Sequence, residues 1–402
     1  MSSPPSADPE VPEALASRLA PELAGRLLEL RREIHRHPEL SFEEHGTRDR
    51  ILRFLDALPN ARVETVAKTG VVARIRGRNR GSHAVAIRGD MDALPIQEET
   101  GLPYASRNEG VMHACGHDVH TTWAAGAACL LGERPPALDV VVIFQPGEET
   151  GRGARSITET GVLEGVRAIF GGHVDRNYEV GEVVAQPGPL AASADFFTVN
   201  FQGTGGHAAR PHETSDPLAA AASAVVQLNG LAPRRVEPDR HSTLSVTRFR
   251  SGDAKNVVPS RAELAGTIRA TDEETRKVLE RTLERVMRAT AAGHDIDVSV
   301  DIARLVPPLV NDGRVTGWMR EAATEVLGPD AVVPLRTVNL AGEDFAHYLA
   351  KIPGCFIRVG AREPGGEKIP AHSPRFVAAD SSVFVGTVVL AEAARRAARA
   401  LV

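Results

Sequence analysis

Two short apolar runs constrain the fold of this chain of 402 residues more than any other feature. Residues 84–87 and 140–144 are almost continuously apolar and rich in β-branched side chains, which is typical of strands buried on both faces. Between them, residues 121–131 are rich in Ala and Leu and form a run long enough for a helix. This order of strand, helix and strand predicts an α/β fold with a mostly parallel sheet.

A second pattern begins near residue 190 and predicts an inserted domain. Its elements follow the order β-α-β-β-α-β of a ferredoxin-like unit. Asp216 is the predicted N-cap of the first helix, and Thr271 is the predicted N-cap of the second, which Gly293 ends. The strands are predicted around residues 197–201, 244–249, 264–268 and 296–302.

The length of the chain fits two domains. We predict a disordered tail over residues 1–12, a parent domain formed by residues 13–189 and 304–402, and the inserted domain over residues 190–303. A final helical pattern near the end of the sequence completes the parent domain in this interpretation.

Composition narrows the class of protein and its setting. The net charge of −5 and the isoelectric point near 6.3 argue against nucleic-acid or anionic-membrane partners. No apolar run approaches the roughly 20 residues that a membrane helix needs, and the N-terminus does not resemble a secretory signal. The three cysteines are few and odd in number, which predicts a reducing, cytoplasmic environment without a disulfide framework.

Four separate segments carry side chains that bind transition metals. Cys, His and carboxylate groups are the usual ligands of zinc, manganese, cobalt and nickel. Because ligands gather at the carboxyl ends of parallel strands, we expect these segments to form one site. Five ligand-type groups suit two ions with one bridging ligand and an open position for water. The candidate ligands are Cys115, His117, Glu149, His173 and His372.

Each of these segments also has a structural interpretation. Taken alone, Cys115 and His117 are better explained as a buried thiol and a helix-capping imidazole; the adjacent carboxylates after a strand favour a metal site instead. Glu148 and Glu149 follow a buried strand, where one carboxylate would bind metal and Glu148 would act as general base; a solvated pair is the alternative. His173 and His372 taken singly would be ordinary structural histidines.

The inserted domain contributes three further candidates. His207 follows a glycine-rich turn, which allows close backbone approach to a neighbouring cleft; a solvent-exposed loop histidine is the alternative. Asn256 and Arg269 flank a predicted strand, and a fixed guanidinium suits a substrate carboxylate; a surface ion pair is the alternative for Arg269. Glu343 is predicted either to orient a ligand or to cap a helix.

Spaced motifs along most of the chain carry a resemblance to a known family. They are HRHPELSFEE at 35–44, RGDMDALPIQE at 88–98, MHACGHDVHT at 112–121, FQPGEE at 144–149, GHV at 172–174, GGHAARPH at 205–212, NVVP at 256–259, AGEDF at 341–345 and HSPRF at 372–376. The chain resembles the metal-dependent amidohydrolases and metallopeptidases of the aminoacylase and carboxypeptidase G clan. It is most similar to the branch of hippurate hydrolases, N-acetyl amino acid deacetylases and indoleacetic acid–amino acid hydrolases.

The resemblance implies roles for the candidate residues. Cys115 would bridge two divalent ions. His117 and His173 would be the other ligands of one ion, and Glu149 and His372 would be the other ligands of the second ion. Glu148 would act as general base on a metal-bridged water, assisted by His207 of a partner subunit. Asn256 and Arg269 would bind the substrate carboxylate. In the wider clan a His-x-Asp motif supplies a ligand; because the matching segment here is Asp90-Met91-Asp92, Asp92 receives a supporting role only.

The resemblance also implies an activity and an assembly. The expected reaction is hydrolysis of the amide bond of N-acyl amino acids, with a di-metal catalytic domain and an inserted domain that acts as a lid and forms a homodimer or higher homo-oligomer. A dipeptidase or carboxypeptidase acting on short peptides is the nearest alternative. A cysteine-nucleophile amidase and a catalytically silent binding protein are two further alternatives.

Overall fold

The computed structural model describes residues 11–79, Gly81 and residues 83–402. Residues 1–10 of the predicted disordered tail therefore lie outside the described residues. Val11, at the end of that predicted tail, packs against the hydrophobic core. The described residues form two compact units. The first contains the described residues up to Gly188 together with Asn311–Arg336 and His347–Val402, and the second contains Pro189–Val310 and Thr337–Ala346.

The helices and strands are numbered in chain order. The helices are α1 (Pro21–Arg36), α2 (His45–Leu55), α3 (His117–Glu133), α4 (Gly153–Thr158), α5 (Pro217–Leu231), α6 (Glu273–Gly293), α7 (Gly313–Leu327), α8 (Ala346–Leu349) and α9 (Ser381–Ala400). The strands are β1 (Ala61–Val66), β2 (Gly70–Ile75), β3 (Ala84–Asp90), β4 (Asp139–Gln145), β5 (Val166–Glu179), β6 (Val183–Val184), β7 (Gly188–Ala191), β8 (Ala194–Gln202), β9 (Gly206–His207), β10 (Ser242–Ser251), β11 (Val257–Val258), β12 (Arg261–Ala270), β13 (Asp297–Val306), β14 (Leu309–Asn311) and β15 (Gly354–Arg362).

A seven-stranded sheet in the order β1-β2-β4-β3-β5-β15-β6 is the centre of the first unit. Its four central strands, β4, β3, β5 and β15, run parallel, whereas β1, β2 and β6 pair antiparallel at the two edges. The apolar runs at 84–87 and 140–144 lie in β3 and β4, with α3 between them in the chain. The predicted α/β fold class is therefore confirmed, and the sheet is mixed rather than wholly parallel.

The N-terminus of α3 lies close to the carboxyl end of β3. Every residue of the helix except Glu133 is buried, because small side chains let it pack closely against its neighbours. A Cβ on Gly89 of β3 would lie 2.4 Å from the carbonyl oxygen of His120, so that contact has room for glycine only. This close packing fixes His117, the first residue of α3, beside the ends of the parallel strands.

The second unit has a four-stranded antiparallel sheet in the order β10-β12-β8-β13. Helices α5 and α6 pack on one face, where Phe197 and Val199 join the buried cluster of apolar side chains. The elements follow the predicted β-α-β-β-α-β order. Asp216 caps α5 as predicted, but Asp272 caps α6 in place of Thr271, because its carboxylate accepts the backbone N–H of Thr275.

The boundaries of the units differ from the prediction in two parts of residues 304–402. The structure groups residues 304–310 with the second unit, which runs from Pro189 to Val310, and it also groups Thr337–Ala346 with that unit. The backbone N–H of Ala192 donates to the carbonyl of Asn339, and a Cβ on Gly342 would lie 2.8 Å from that of Ala194. These contacts hold the segment against the second unit. Among the described helices, none has the length and apolar character that crossing a membrane requires.

Candidate metal centre

The loop before α3 brings Cys115 and His117 to one centre. Gly116 separates them and adopts a left-handed conformation with φ of 91° as the N-cap residue of the helix. A Cβ at this position would lie 2.4 Å from a methyl group of Val174, so both the conformation and the space favour glycine. The reversal of the backbone lets two side chains that are two residues apart contribute to the same cluster.

The five predicted ligands form two overlapping triads. Cys115, His117 and His173 form one triad, and Cys115, Glu149 and His372 form the other; within each triad one donor atom per residue lies within 4.8 Å of the others. The Cys115 Sγ is 3.2 Å from Nε2 of His173. Nε2 of His372 is 3.5 Å from Oε1 of Glu149. Cys115 is thus the member common to both triads.

The donor atoms of the triads fit a divalent cation. Nε2 of His117 and Oε1 of Glu149 lie 3.8 Å apart. Both atoms are buried and have no hydrogen-bond partner among the described residues. An unsatisfied buried polar atom costs folding free energy, and divalent ions bound in the two triads would satisfy both of these atoms. The thiol, imidazoles and carboxylate around them are the donor types that zinc and related ions prefer.

Hydrogen bonds orient the two imidazoles. Nδ1 of His117 donates to Oδ1 of Asp92 at 3.3 Å, and Nδ1 of His173 donates to the carbonyl of Val174 at 2.7 Å. Each bond assigns the proton of the neutral ring to Nδ1 and leaves the lone pair of Nε2 directed at the triads. This arrangement is the usual way in which proteins prepare a histidine for metal binding.

Asp92 connects the helix and the acidic loop. Besides His117, its carboxylate accepts the backbone N–H groups of Glu148 and Glu149, each at 3.0 Å, and the hydroxyl of Ser41 at 2.7 Å. Burial alone would raise the pKa of Asp92, but the hydrogen bond and charge of His117 hold it below the ordinary value. Asp92 therefore supports the ligands and lies in neither of the two triads that share Cys115.

Glu148 lies beside the triads without belonging to either of those that contain Cys115. Its carboxylate is within 4.8 Å of donor atoms of His117 and Glu149. It is half-buried and begins the 3-10 turn Glu148–Thr150, after Gly147 in a left-handed conformation with φ of 66°. The turn directs two consecutive carboxylates to one centre, which is the arrangement that a metal ligand and a neighbouring base require.

The buried pair Asp90 and His120 forms a supporting layer behind the ligands. Nδ1 of His120 donates to Oδ1 of Asp90 at 2.7 Å, and its Nε2 accepts the backbone N–H of Val174 at 3.0 Å. With both ring nitrogens engaged, His120 has no lone pair for a metal. Asp90 also accepts from Arg88 at 2.6 Å. Asp90 is the last residue of the buried strand β3, and a carboxylate at such a position is the feature of the sequence that indicates this supporting layer.

The environment of Cys115 disfavours a free thiolate. Burial and the nearby charge of Glu149 raise the pKa of the Cys115 thiol above its ordinary range. His173, whose Nε2 is 3.2 Å from the sulfur, has a pKa well below its usual value because of burial and the nearby charge of His120. A catalytic cysteine needs the opposite shift in its own pKa, so the geometry does not favour the cysteine-nucleophile alternative.

His207 and Asn256 lie together in the second unit. Strands β9 and β11 pair antiparallel with His207 opposite Val257, and the backbone N–H of Ala208 donates to the carbonyl of Asn256 at 3.1 Å. Both side chains are exposed. Nδ1 of His207 accepts the backbone N–H of Ala209 at 3.1 Å, which fixes the start of the loop that follows.

Arg269 lies at the other end of the four-stranded sheet. Gln202 pairs with Arg261 at the end of the sheet that leads into β9, whereas Arg269 is near the far end of β12. At about 3.3 Å per residue, this places Arg269 on the order of 25 Å from the end that carries Asn256. Its Nε donates to Thr267 Oγ1 at 3.1 Å, and burial lowers its pKa. The structure does not bring Asn256 and Arg269 together within one chain.

Glu343 lies in the segment grouped with the second unit. The side chain is buried, and its Oε1 accepts the backbone N–H of Phe345 at 3.1 Å. Its carbonyl accepts the N–H of Ala346, where α8 begins. These contacts are those of a residue that shapes the turn before a helix.

Comparison with known proteins extends the geometric findings. Residues 86–396 match peptidase family M20/M25/M40. An N-acetylcysteine deacetylase of Bacillus subtilis is 40% identical over 375 residues, covering 92% of this chain and 96% of the relative. An IAA-amino acid hydrolase of Arabidopsis thaliana, ILR1-like 4, is 37% identical over 376 residues, covering 91% and 84%.

A solved structure agrees in fold as well as in sequence. The crystal structure of the Bacillus subtilis YXEP protein, described as a dinuclear metal-binding peptidase of the M20 family, superposes with a TM-score of 0.83 at 36% identity. The match covers 94% of this chain and 99% of that one. The resemblance that the spaced motifs predicted is confirmed. The chain is an enzyme that belongs to peptidase family M20/M25/M40.

Proposed function

We propose that this enzyme hydrolyses the amide bond of N-acyl amino acids and releases a carboxylic acid and a free amino acid. The observation that carries the proposal is the pair of triads that share Cys115, with Glu148 beside them. The names of two relatives, an N-acetylcysteine deacetylase and an IAA-amino acid hydrolase, support this substrate class.

The triads would hold two divalent ions, chosen among zinc, manganese, cobalt and nickel. His117 and His173 would be ligands of one ion, and Glu149 and His372 would be ligands of the other. Cys115 would be a ligand common to both. The similar Bacillus subtilis structure is described as dinuclear, which supports a pair of ions. When bound, such ions lower the pKa of water and polarise a carbonyl group.

Glu148 would be the general base. Its carboxylate would accept a proton from the attacking water and donate that proton to the nitrogen of the leaving amine as the C–N bond breaks. Asp92 supports this role because it binds the backbone N–H of Glu148 and limits the movement of the turn. The base would thus be held in place before the substrate arrives.

The positions of Asn256 and Arg269 support a homodimer. One active site needs the groups that bind one carboxylate within a few ångströms of each other, and the two ends of the sheet are far apart. A partner chain would solve this: Arg269 would bind the substrate carboxylate, while His207 of the partner subunit would assist the reaction and Asn256 of the partner subunit would complete the carboxylate site.

The second unit has an apolar surface suited to pairing. Leu218 and Val226 are exposed on α5, and Phe249 is exposed on β10, an edge strand of the sheet. Val226 is 74% exposed and Phe249 is 44% exposed, so both side chains are available to a second copy of the chain. An edge strand with unpaired backbone groups can pair with the same strand of a second copy. We therefore place the dimer interface on β10 and α5.

The oxidation state of Cys115 suggests the cellular compartment in which the enzyme would be active. The described cysteines Cys115, Cys129 and Cys355 are all unpaired. Oxidation of Cys115 would remove the ligand that both triads share. A reducing cytoplasm would keep the enzyme active, and fractionation of cells that express a tagged chain tests this placement.

Substrate release assays test the proposed function. We would strip the purified protein with a chelator, reload it with each of the four ions, and measure free amine released from N-acetyl-L-cysteine, other N-acetyl amino acids, hippurate, indoleacetyl amino acids and dipeptides. We expect N-acyl amino acids to be cleaved, with activity lost on chelation and restored by metal. Preference for dipeptides, or activity that survives complete chelation, would contradict the proposal.

A further inference from the structure

The motif at residues 35–44 supplies none of the five candidate ligands, yet its last residues contact the loop that carries Glu148 and Glu149. We call residues 147–149 the acidic turn. Three consecutive backbone N–H groups of this turn donate to two carboxylates. The Gly147 N–H donates to Oε1 of Glu44 at 2.9 Å, and the other two donate to Asp92.

Glu44 is fully buried and organises its own loop at the same time. Its Oε1 also accepts the backbone N–H of Phe42 at 2.9 Å, and its Oε2 accepts the hydroxyl of Thr69 at 2.6 Å. Phe42 adopts a left-handed conformation with φ of 64°, which is uncommon for a residue with a side chain. The bond from its N–H to Glu44 compensates for part of that strain.

Two further contacts join the motif to the acidic turn. The hydroxyl of Ser41 donates to Oδ2 of Asp92, the oxygen that also accepts the N–H of Glu149. The ring of Phe42 fills the space beside Gly147, where an added Cβ would lie 2.5 Å from a ring carbon. Gly147 is therefore fixed by a hydrogen bond on its N–H and by a ring against its Cα.

We propose that Ser41 and Glu44 are positioning residues that hold the acidic turn, and with it Glu148, in the geometry required for proton transfer. Neither side chain belongs to the two triads that share Cys115. They act through the backbone of the turn, and Ser41 acts through Asp92. The inference rests on the proposed function, because it assigns Glu148 the role of base.

A matched pair of substitutions tests the proposal. Glu44→Ala removes the acceptor of the Gly147 N–H. Thr69→Val keeps that acceptor and removes only the partner of Oε2, so it perturbs the same buried carboxylate without releasing the turn. We expect kcat of Glu44→Ala to fall about 100-fold with a much smaller change in KM, since small displacements of a catalytic group have effects of this size. Thr69→Val should keep kcat within a few-fold of the unmodified enzyme.

Hydrogen–deuterium exchange gives a readout that needs no substrate. The peptide that contains Gly147 should exchange faster in Glu44→Ala than in Thr69→Val or the unmodified protein, because a buried N–H has lost its acceptor. Glu44→Gln should restore both slow exchange and most of kcat, since its amide oxygen can accept the same bond. If Glu44→Ala does not fold, Ser41→Ala carries the test, with faster exchange at residues 148–149 and a smaller loss of kcat.

The outcomes separate this inference from the proposed function. Failure of the unmodified enzyme to cleave any N-acyl amino acid would contradict the proposed function and leave the exchange result to decide the positioning role. Unchanged exchange of the turn in Glu44→Ala would overturn the positioning role. So would a loss of activity that is explained entirely by lost metal, or one that Thr69→Val reproduces.

Discussion

Nε2 of His117 and Oε1 of Glu149 face each other at 3.8 Å, and neither atom has a hydrogen-bond partner among the described residues. One atom comes from the first residue of α3, and the other comes from the turn after β4. The two elements are held together by Asp92, which binds both His117 and the backbone of Glu149. Asp92 therefore holds the His117 ring and the backbone of Glu149 in place before any ion binds.

Cys115→Ala should remove the ligand that both triads share. We expect the loss of at least one ion per chain and a fall in metal affinity of more than about 100-fold, because the loss of a direct ligand should exceed the 10–100-fold cost of losing an outer partner. Metal analysis after gel filtration checks this. Cys129→Ala is the control, since Cys129 is also buried but lies further along α3; equal metal content in the two variants would contradict the triads.

Asp92→Asn tests the connection between helix and turn. The asparagine keeps one oxygen but presents an NH₂ group to one of the N–H donors that the carboxylate accepted. We expect metal affinity to fall about 10–100-fold with the fold retained. Competition with a coloured chelator measures the affinity, and circular dichroism checks the fold. An unchanged affinity would mean that Asp92 does not support the ligands.

Glu148→Gln should separate proton transfer from metal binding. The amide keeps the size of the side chain but cannot accept a proton, so kcat should fall by about 10²–10⁴-fold. Metal content should stay at the level of the unmodified enzyme, because Glu148 belongs to neither triad that contains Cys115. A variant that retains its activity would exclude Glu148 as the base.

His35 should make stability depend on pH. It lies buried between Asp118 at 2.9 Å and Glu98 at 3.3 Å. Burial alone would lower its pKa, but these two carboxylates raise the pKa of His35 to about 9. The folded state therefore holds the proton more tightly than the unfolded state, where the pKa is about 6.5.

The sign of the effect follows from this difference. The contribution of His35 to the free energy of unfolding should be complete below pH 6.5 and be lost as the pH rises through 9, with a size of roughly 3 kcal/mol. Urea unfolding at pH 6.0 and pH 9.5 measures it. His35→Gln should be destabilised mainly at the lower pH; an equal deficit at both pH values would rule out the charge of His35 as the cause.

Mixed dimers test whether two chains complete one site. His207→Ala and Glu148→Gln subunits should each be inactive as homodimers. In a heterodimer, one of the two sites would receive Glu148 from one chain and His207 from the other, both unmodified. Random mixing should restore about a quarter of the activity, since half of the dimers have one complete site. Heterodimers that form and stay inactive would contradict the exchange of His207.

Much of the fold and of the ligand cluster could be predicted from local patterns. The runs in β3 and β4 are apolar on both faces because both faces are covered, and that pattern is visible in the residues themselves. Asp272 was missed as the N-cap of α6 because Thr271 and Asp272 are both good capping residues. The backbone conformation at the start of the helix decides which of the two side chains reaches the first N–H groups, and this conformation cannot be read from the sequence.

Long-range contacts account for what the sequence could not show. Asp92 binds the hydroxyl of Ser41 and the backbone N–H of Glu149, and all three residues are far apart in the chain. Periodic patterns in the sequence predict helices and strands, but they do not predict hydrogen bonds between such distant segments. Asn256 and Arg269 are close in sequence, and the family resemblance implies that both bind the substrate carboxylate. A strand between them rises about 3.3 Å per residue, so the short separation in sequence becomes a long distance in space.

The candidate ligands come from separate segments of the chain, so metal binding should depend on the folded structure and should stabilise it. Cys115 comes from the loop before α3 and His117 from the first residue of that helix. Glu149 comes from the turn after β4, His173 from β5 and His372 from a loop near the end of the chain. A chain with native helices but loose packing would not gather these five groups and would bind the ions weakly. At an ion concentration 1,000 times the dissociation constant, each ion would add about 4 kcal/mol to the free energy of unfolding. Chelation should then lower the midpoint of thermal unfolding even where no substrate is present.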